Sequence, residues 1–372
     1  MKCVRCDHDS KYSERANGAC PKCNGRFAFE PRNGDKLTDA AFQNAIAAVS
    51  ADGQIRWGAE HLYYEIARRQ RGKTKAGCAL VVMIVAAIFA IAFVVNAKLL
   101  GALIAGGIAA LALWSFRAMR HSKFVALPQI EFDRMLIKWR EAHGQPKTMI
   151  TRAHVRGTPA PARKLEADIS DYSFDRAIIC DRARTADILL ANNFHFENNC
   201  AVLSVDGYPE AHFETILTML KRNPRLRVFA LHDATPNGCR LARKLVSDTA
   251  WFAGLAQVKD VGLRPAQAKP FAGLFKPHVG QAVPIGGGIS IAEAEWLNQQ
   301  SLELAVIRPE QVLKRLYKAL HRDDTGDSGG SGDGGGGDGG SITSGDKGKV
   351  VNDTDSFTYE AGDVDGDADG FG

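Results

Sequence analysis

The stretch Val228-Phe-Ala-Leu-His-Asp-Ala-Thr-Pro-Asn-Gly238 decides how the C-terminal half of the chain folds. Four apolar residues, Val228–Leu231, make a strand, and Asp233 follows its end. Pro236 and Gly238 then allow a sharp turn into a helix expected over Asn237–Phe252. The same alternation runs on both sides. Arg176–Cys180, Cys200–Val205 and Gln257–Val261 read as strands. Thr185–Asn192 and Glu210–Arg222 read as helices, the second with Phe213, Ile216, Leu217 and Leu220 on one face. Strands alternating with helices imply a parallel sheet with right-handed crossovers. Residues 165–322 are therefore expected to form an α/β domain closed by a last helix, Pro309–His321.

In such a sheet, ligands bind beyond the carboxyl ends of the strands. Two acids fall there: Asp181 after the first strand and Asp233 after the third. Carboxylates converging from adjacent strands can hold Mg²⁺. The helix N-terminus beside Thr235 and Gly238 favours phosphate. The simpler alternative is that Asp233 only caps a turn and a helix, as Asp often does.

On these residues, Arg176–Gly262 resembles a Toprim domain, as in topoisomerases and primases. That family carries an acid, usually Glu, after its first strand and an Asp-x-Asp pair after its third. Asp181 and Asp233 match the first acid and the first Asp of the pair, and Thr235 stands where the second Asp would be. The run Asp233-Ala-Thr-Pro-Asn-Gly238 is most similar to the Asp-x-Asp-Pro-x-Gly of the topoisomerase VI A subunit and its meiotic break-forming relatives. Those relatives place a winged-helix domain with a Tyr-Tyr pair ahead of the Toprim domain. Glu60-His-Leu-Tyr-Tyr64 lies in the corresponding order here. The resemblance implies Tyr64 as a nucleophile that forms a phosphotyrosyl bond while a metal stabilises the displaced charge. Glu60 in place of a basic residue and Thr235 in place of a metal ligand imply weak or absent cleavage. The other reading of Tyr63 and Tyr64 is packing within the helical pair or at a membrane interface.

Two uncharged apolar runs precede this half: Ala76–Val95, of 20 residues, and Leu99–Phe116, of 18, separated by Asn96, Ala97 and Lys98. A bilayer core about 30 Å thick takes roughly 20 helical residues. Residues 76–116 therefore read as a transmembrane hairpin, and in its second helix Ala102, Gly106 and Ala110 form a small-residue stripe for close packing. Arg68, Arg69, Arg71, Lys73 and Lys75 lie before it and Arg117, Arg120 and Lys123 after it. The positive-inside rule then gives an integral protein of the inner or cell membrane with both termini cytoplasmic.

Cys3-x-x-Cys6 and Cys20-x-x-Cys23, 13 residues apart, predict a zinc ribbon over residues 1–30. Cys78, Cys180, Cys200 and Cys239 read as small buried hydrophobes. Residues 37–72 form a short helical, partly winged-helix-like module in which Thr38 caps Asp39–Ser50 and Gly58–Arg71 follows. An amphipathic helix falls within 124–143 and a Pro-containing linker at 144–164. Residues 323–372 hold 13 acids against Lys347 and Lys349, net −11, while the rest carries 45 basic and 29 acidic residues, net +16. The Gly/Asp-rich tail is expected to be disordered and able to compete with nucleic acid for the basic body. The expected function is binding of nucleic acid or another phosphate ligand at a membrane. The alternative is a catalytically dead adaptor that takes a protein partner through the ribbon and the α/β domain. A homodimer suits either.

Overall fold

The computed structural model describes residues 1–15, 17–71, 124–151, 174–254, 257–322 and 350–352. Its centre is a parallel sheet of β1 (Arg176–Cys180), β2 (Cys200–Ser204), β3 (Arg227–Leu231), β4 (Gln257–Asp260) and β5 (Val350–Asn352), in the order β2-β1-β3-β4-β5. Three of the four strands expected from the sequence end within one residue of their expected limits, and Arg176–Cys180 coincides with β1. The fifth strand corrects an expectation. Part of the acidic tail pairs in parallel with β4, Asp260 opposite Asn352. Val350 and Val351 supply β-branched residues, and an uncovered strand edge accepts a further strand.

β1, β2 and β3 are apolar on both sides, which explains the hydrophobic runs in the sequence. Ala177, Ile179, Leu203, Val228 and Ala230 face one way. They pack on Leu217 and Leu220 of one crossover helix (Phe213–Arg222) and on Leu241, Leu245 and Val246 of another (Leu241–Ser247). Ile178, Cys180, Val202, Phe229 and Leu231 face the other way, toward the crossover helix Ala183–Ala191. The crossover from β1 to β2 thus covers one face and that from β3 to β4 the opposite face. The sheet switches direction between β1 and β3, and in this strand order that is where a ligand crevice opens. The helix expected over Asn237–Phe252 is divided. A single turn, Pro236–Cys239, is followed by Leu241–Ser247, and Trp251 and Phe252 cover the sheet from a loop.

The second face of the sheet is completed by the N-terminal helices. These are α1 (Asp39–Ser50), α2 (residues 59–71) and α3 (Gln129–His143). Thr38 caps α1 by accepting the Ala41 amide, as its sequence position implies. Phe42 packs on Phe29 and Trp139, with ring centroids 5.2 and 4.8 Å apart, and Tyr63 meets Phe132 at 5.4 Å. These aromatics belong to the same buried cluster as Ile178, Phe229 and Leu231 of the sheet. The helical module and the α/β region therefore share one core. The linker expected from Gly144 also starts later than its composition suggested. Thr148–Ile150 bracket Trp57, whose amide donates to the Thr148 carbonyl and whose carbonyl accepts the Ile150 amide.

No helix among the described residues is long and apolar enough to cross a membrane. The expected hairpin, 76–116, lies outside those residues, as do Cys78 and most of the 144–164 linker. The residues that bracket the apolar runs are informative. The Arg71 side chain lies against Gly273, and Phe124 forms a parallel bridge with Phe275. Both ends of 72–123 therefore meet the same three-residue segment. Arg68 and Arg69, counted from sequence among the flanking charges, instead pair with buried Glu65 at 2.7 and 2.8 Å.

A shared core should unfold as one unit. Phe42 is fully buried, so Phe42→Ala is expected to cost about 3–5 kcal/mol. It should lower a single transition sensed equally by Trp139 beside Phe42 and Trp251 on the opposite face of the sheet. Two separate transitions in denaturant would contradict the shared core.

Candidate functional site: a four-cysteine cluster and an acid–arginine crevice

Each Cys-x-x-Cys pair sits in a short antiparallel turn with the same hydrogen bonds. The Cys3 amide donates to the His8 carbonyl and the Asp7 amide to the Cys3 carbonyl. The Cys20 amide donates to the Gly25 carbonyl and the Asn24 amide to the Cys20 carbonyl. Asp7 and Asn24 close the turns at φ of 55° and 53°, left-handed backbone that short polar side chains tolerate. The Sγ atoms of Cys3 and Cys23 lie 3.6 Å apart and those of Cys6 and Cys20 3.7 Å, all four within 4.8 Å. A tetrahedral zinc with Zn–S of about 2.3 Å would have S···S edges of about 3.8 Å. A disulfide needs about 2.05 Å, so the four sulfurs form a ligand cage and no covalent pair. With no open position, the metal such a cage holds serves the fold.

The ribbon is fastened to the core through Asp39 and through Arg5, which donates to the Ala142 carbonyl at 3.2 Å. Asp39, fully buried at the start of α1, accepts the amides of Ala28 and Phe29 at 2.9 Å, and His143 at the end of α3 lies 2.5 Å from it.

The second site occupies the switch point. Asp181 extends β1, its amide donating to the Leu231 carbonyl, and its Oδ2 accepts the Asp233 amide at 3.0 Å. The two acids expected to converge do so. Thr235 and Gly238 lie in the turn beneath them, the Thr235 hydroxyl accepting the Gly238 amide at 3.1 Å. A Cβ on Gly238 would collide with the Asp233 carbonyl and lie 3.2 Å from Asp181 Oδ2, so the close approach requires glycine there. Burial, and after it the Asp233 charge, pushes the Asp181 carboxyl up to about 7.

Several groups not singled out from the sequence complete the site. Ala234 and Leu302 exchange backbone hydrogen bonds, which brings Leu302–Leu304 alongside the end of β3. The Leu304 amide donates to Asp233 Oδ1 at 2.7 Å, while Arg182 Nε sits 2.9 Å from Oδ2. Glu303 then accepts Arg182 at 3.2 Å, Arg184 at 2.7 Å, Lys276 at 3.0 Å and the Tyr64 hydroxyl at 3.1 Å. Burial alone would raise the Glu303 carboxyl. Arg184 and Lys276 outweigh it and hold the group down at about 2. The sequence signal for Glu303 is a single acid inside the apolar run Leu302–Ile307.

This arrangement corrects one expectation. Tyr64 is fully buried and bonded to Glu303, with no direct hydrogen bond to the Asp181–Asp233 pair. Burial and the Glu303 charge raise its phenol well above the ordinary value, the opposite of an activated nucleophile. In the acid pair, Asp181 Oδ2 and Asp233 Oδ1 accept backbone amides, while Asp181 Oδ1 and Asp233 Oδ2 have no hydrogen-bond partner among the described residues, Asp233 Oδ2 lying 2.9 Å from Arg182 Nε as an ion pair. The Arg182 guanidinium supplies the local positive charge.

Behind the acids lies a buried charged trio. His232 Nδ1 faces the Asp233 carbonyl at 2.8 Å and Nε2 faces Asp260 Oδ1 at 2.9 Å. Both partners can only accept, so the ring carries both protons. Burial alone would lower its pKa, but the Asp260 carboxylate outweighs this and raises it. Arg264 grips the other Asp260 oxygen at 2.6 Å. Gly262 lets the loop pass over the His232 ring, which any Cβ would strike.

No family model, curated protein or solved structure matches the chain. The functional assignment therefore rests on this geometry.

Purified protein is expected to carry one zinc per chain by elemental analysis. The metal should be lost with Cys20→Ser and Cys23→Ser together, and residues 1–30 should become protease-sensitive because metal binding supplies the folding energy of such modules. For His232, the raised pKa means its stabilisation is complete below about 6.5 and is lost as pH rises through the folded-state value. Nitrogen-15 spectra are expected to show an imidazolium at pH 7.5. A neutral tautomer at that pH would remove the buried charge trio.

Proposed function

We propose that this chain is a membrane-tethered, zinc-carrying protein with a Toprim-like sheet that binds nucleic acid through phosphates without cutting it. The observation that carries this reading is the placement of Arg182 and Arg184 over Asp233 and Glu303 at the carboxyl ends of β1 and β3. Guanidinium groups held in place by carboxylates, with 35% and 21% of their side chains exposed, are poised to trade an internal anion for an external phosphate.

Asp181, Asp233 and Gly238 keep the resemblance to the topoisomerase VI A subunit, whereas the buried Tyr64 and the arginine-filled acid pair speak for a non-cleaving relative. Tethering is supported by two apolar runs with basic outer flanks and by the meeting of Arg71 and Phe124 on Gly273–Phe275, as a hairpin that leaves and returns at one place requires. Both termini are then cytoplasmic.

The full chain is expected to remain with membranes after alkaline carbonate extraction. In neutral detergent it should bind a DNA duplex of any sequence, with affinity falling steeply as salt rises. Added Mg²⁺ should produce no strand cleavage. Arg182→Glu is expected to weaken binding at least tenfold. Robust cleavage abolished by Tyr64→Phe would establish the transesterase instead. Absence of binding at low salt would favour the adaptor that takes a protein partner.

A further inference from the structure

A cavity of about 230 Å³ opens beside Arg184, between the start of α2, the helix Ala183–Ala191 and the segment that follows α3. Arg140, in the last turn of α3, also lines it. Its Nη2 donates only to the Met149 sulfur, at 3.8 Å, its Nε is buried with no hydrogen-bond partner, and no carboxylate meets it among the described residues. Arg182, Arg264, Arg308 and Lys276 of the same core are by contrast all paired with acids. A half-buried guanidinium without an acceptor carries a desolvation cost that a bound anion would offset.

Arg184 brings a second guanidinium to the same cavity. Its contacts with Glu303 at 2.7 Å and Asp233 at 3.6 Å both use Nη2. Nε and Nη1 are thus left with no acid partner among the described residues. The two carboxylates in the wall are turned to other groups. Asp187 accepts the Tyr208 hydroxyl, and Glu60 folds back over Gly58, where a Cβ would lie 2.8 Å from its carboxylate. Met149, Ile150 and Ile188 make an apolar side to the cavity.

We propose that this cavity binds a small organic phosphate, its oxygens held between Arg140 and the free donors of Arg184 and its carbon body laid on Met149, Ile150 and Ile188. Guanidinium forks match phosphate oxygens in pairs, and a phosphate monoester carries enough charge and oxygens for a fork on each side. The volume falls below the roughly 300–1,000 Å³ of sites for drug-sized ligands, which suits a compact compound. Arg184 is also one of the two guanidiniums assigned above to nucleic-acid phosphates. A small phosphate that draws Arg184 into the cavity withdraws it from nucleic acid, so the two ligands compete. The competition rests on the proposed function, whereas the cavity site does not.

The test is calorimetric titration of the full chain in neutral detergent with adenosine monophosphate as the probe and adenosine as its uncharged control. The monophosphate is expected to bind and adenosine to bind at least tenfold more weakly. Arg140→Glu should weaken the monophosphate at least tenfold, and Arg140→Gln, which keeps most of the side chain, should weaken it in the same direction, with thermal unfolding as the folding control for both. Saturating monophosphate should weaken a DNA duplex at least threefold. Monophosphate binding indifferent to both Arg140 variants would overturn the site, and so would equal binding of adenosine or no binding of the monophosphate. Unchanged DNA affinity in its presence would overturn the competition. Arg140-dependent binding of the monophosphate by a chain that holds no DNA would keep the site and remove the nucleic-acid reading.

Discussion

The buried carboxylate of Glu303 is the joint on which the architecture depends. A charge taken out of water is tolerable only when opposite charges and hydrogen bonds replace the lost solvation. Glu303 receives Arg182 from the loop after β1, Arg184 from the first turn of the helix Ala183–Ala191, Lys276 from the segment after Phe275, and the Tyr64 hydroxyl from α2. Removing any one leaves the others around a less compensated charge. This is why α2 is held against the sheet, although it precedes the sheet by more than a hundred residues. It also explains why a tyrosine in the right order for nucleophilic attack is given a structural partner.

β1, β2 and β3 were legible because each is a short apolar run, bounded by Asp181, Asp206–Gly207 or His232–Asp233, that reads the same whichever face it presents. α1 and Pro309–His321 were legible to the residue, through the Thr38 cap in one case and the leading proline in the other. What failed were features set by distant residues. Tyr64 and Glu303 are 239 positions apart, and nothing local announces their contact. The division of the helix after Gly238 follows from the close approach of that turn to Asp181 and Asp233, which sequence periodicity does not register. Asp181 and Asp233 were legible as acids at strand ends, but nothing in the local pattern announces that Arg182 lies 2.9 Å from Asp233.

The two arginines and the buried His232 show how the carboxylates at one sheet end are balanced by side chains of the fold. Two carboxylates at adjacent strand ends repel, and the repulsion is answered from the solvent side by Arg182 and from the interior by a doubly protonated imidazole. The arrangement is fixed, because His232 is closed in by Gly262 and Asp260 is shared with Arg264.

Asp39 gives the cysteine cage a wider reach than its size suggests. The same carboxylate fixes the peptide groups of Ala28 and Phe29 and meets His143, and Phe29 stacks into the cluster of Phe42 and Trp139. Thiolates are the most oxidisable groups on a protein, and a caged set loses its ion when even one sulfur is oxidised. The slackened ribbon would then pull on the backbone that seats Phe29, and the damage would pass inward through Asp39 to the aromatic cluster. Oxidative stress at an exposed sulfur such as Cys23 would thus be felt as a loosened interior, with the tryptophan emission of Trp139 as its natural reporter.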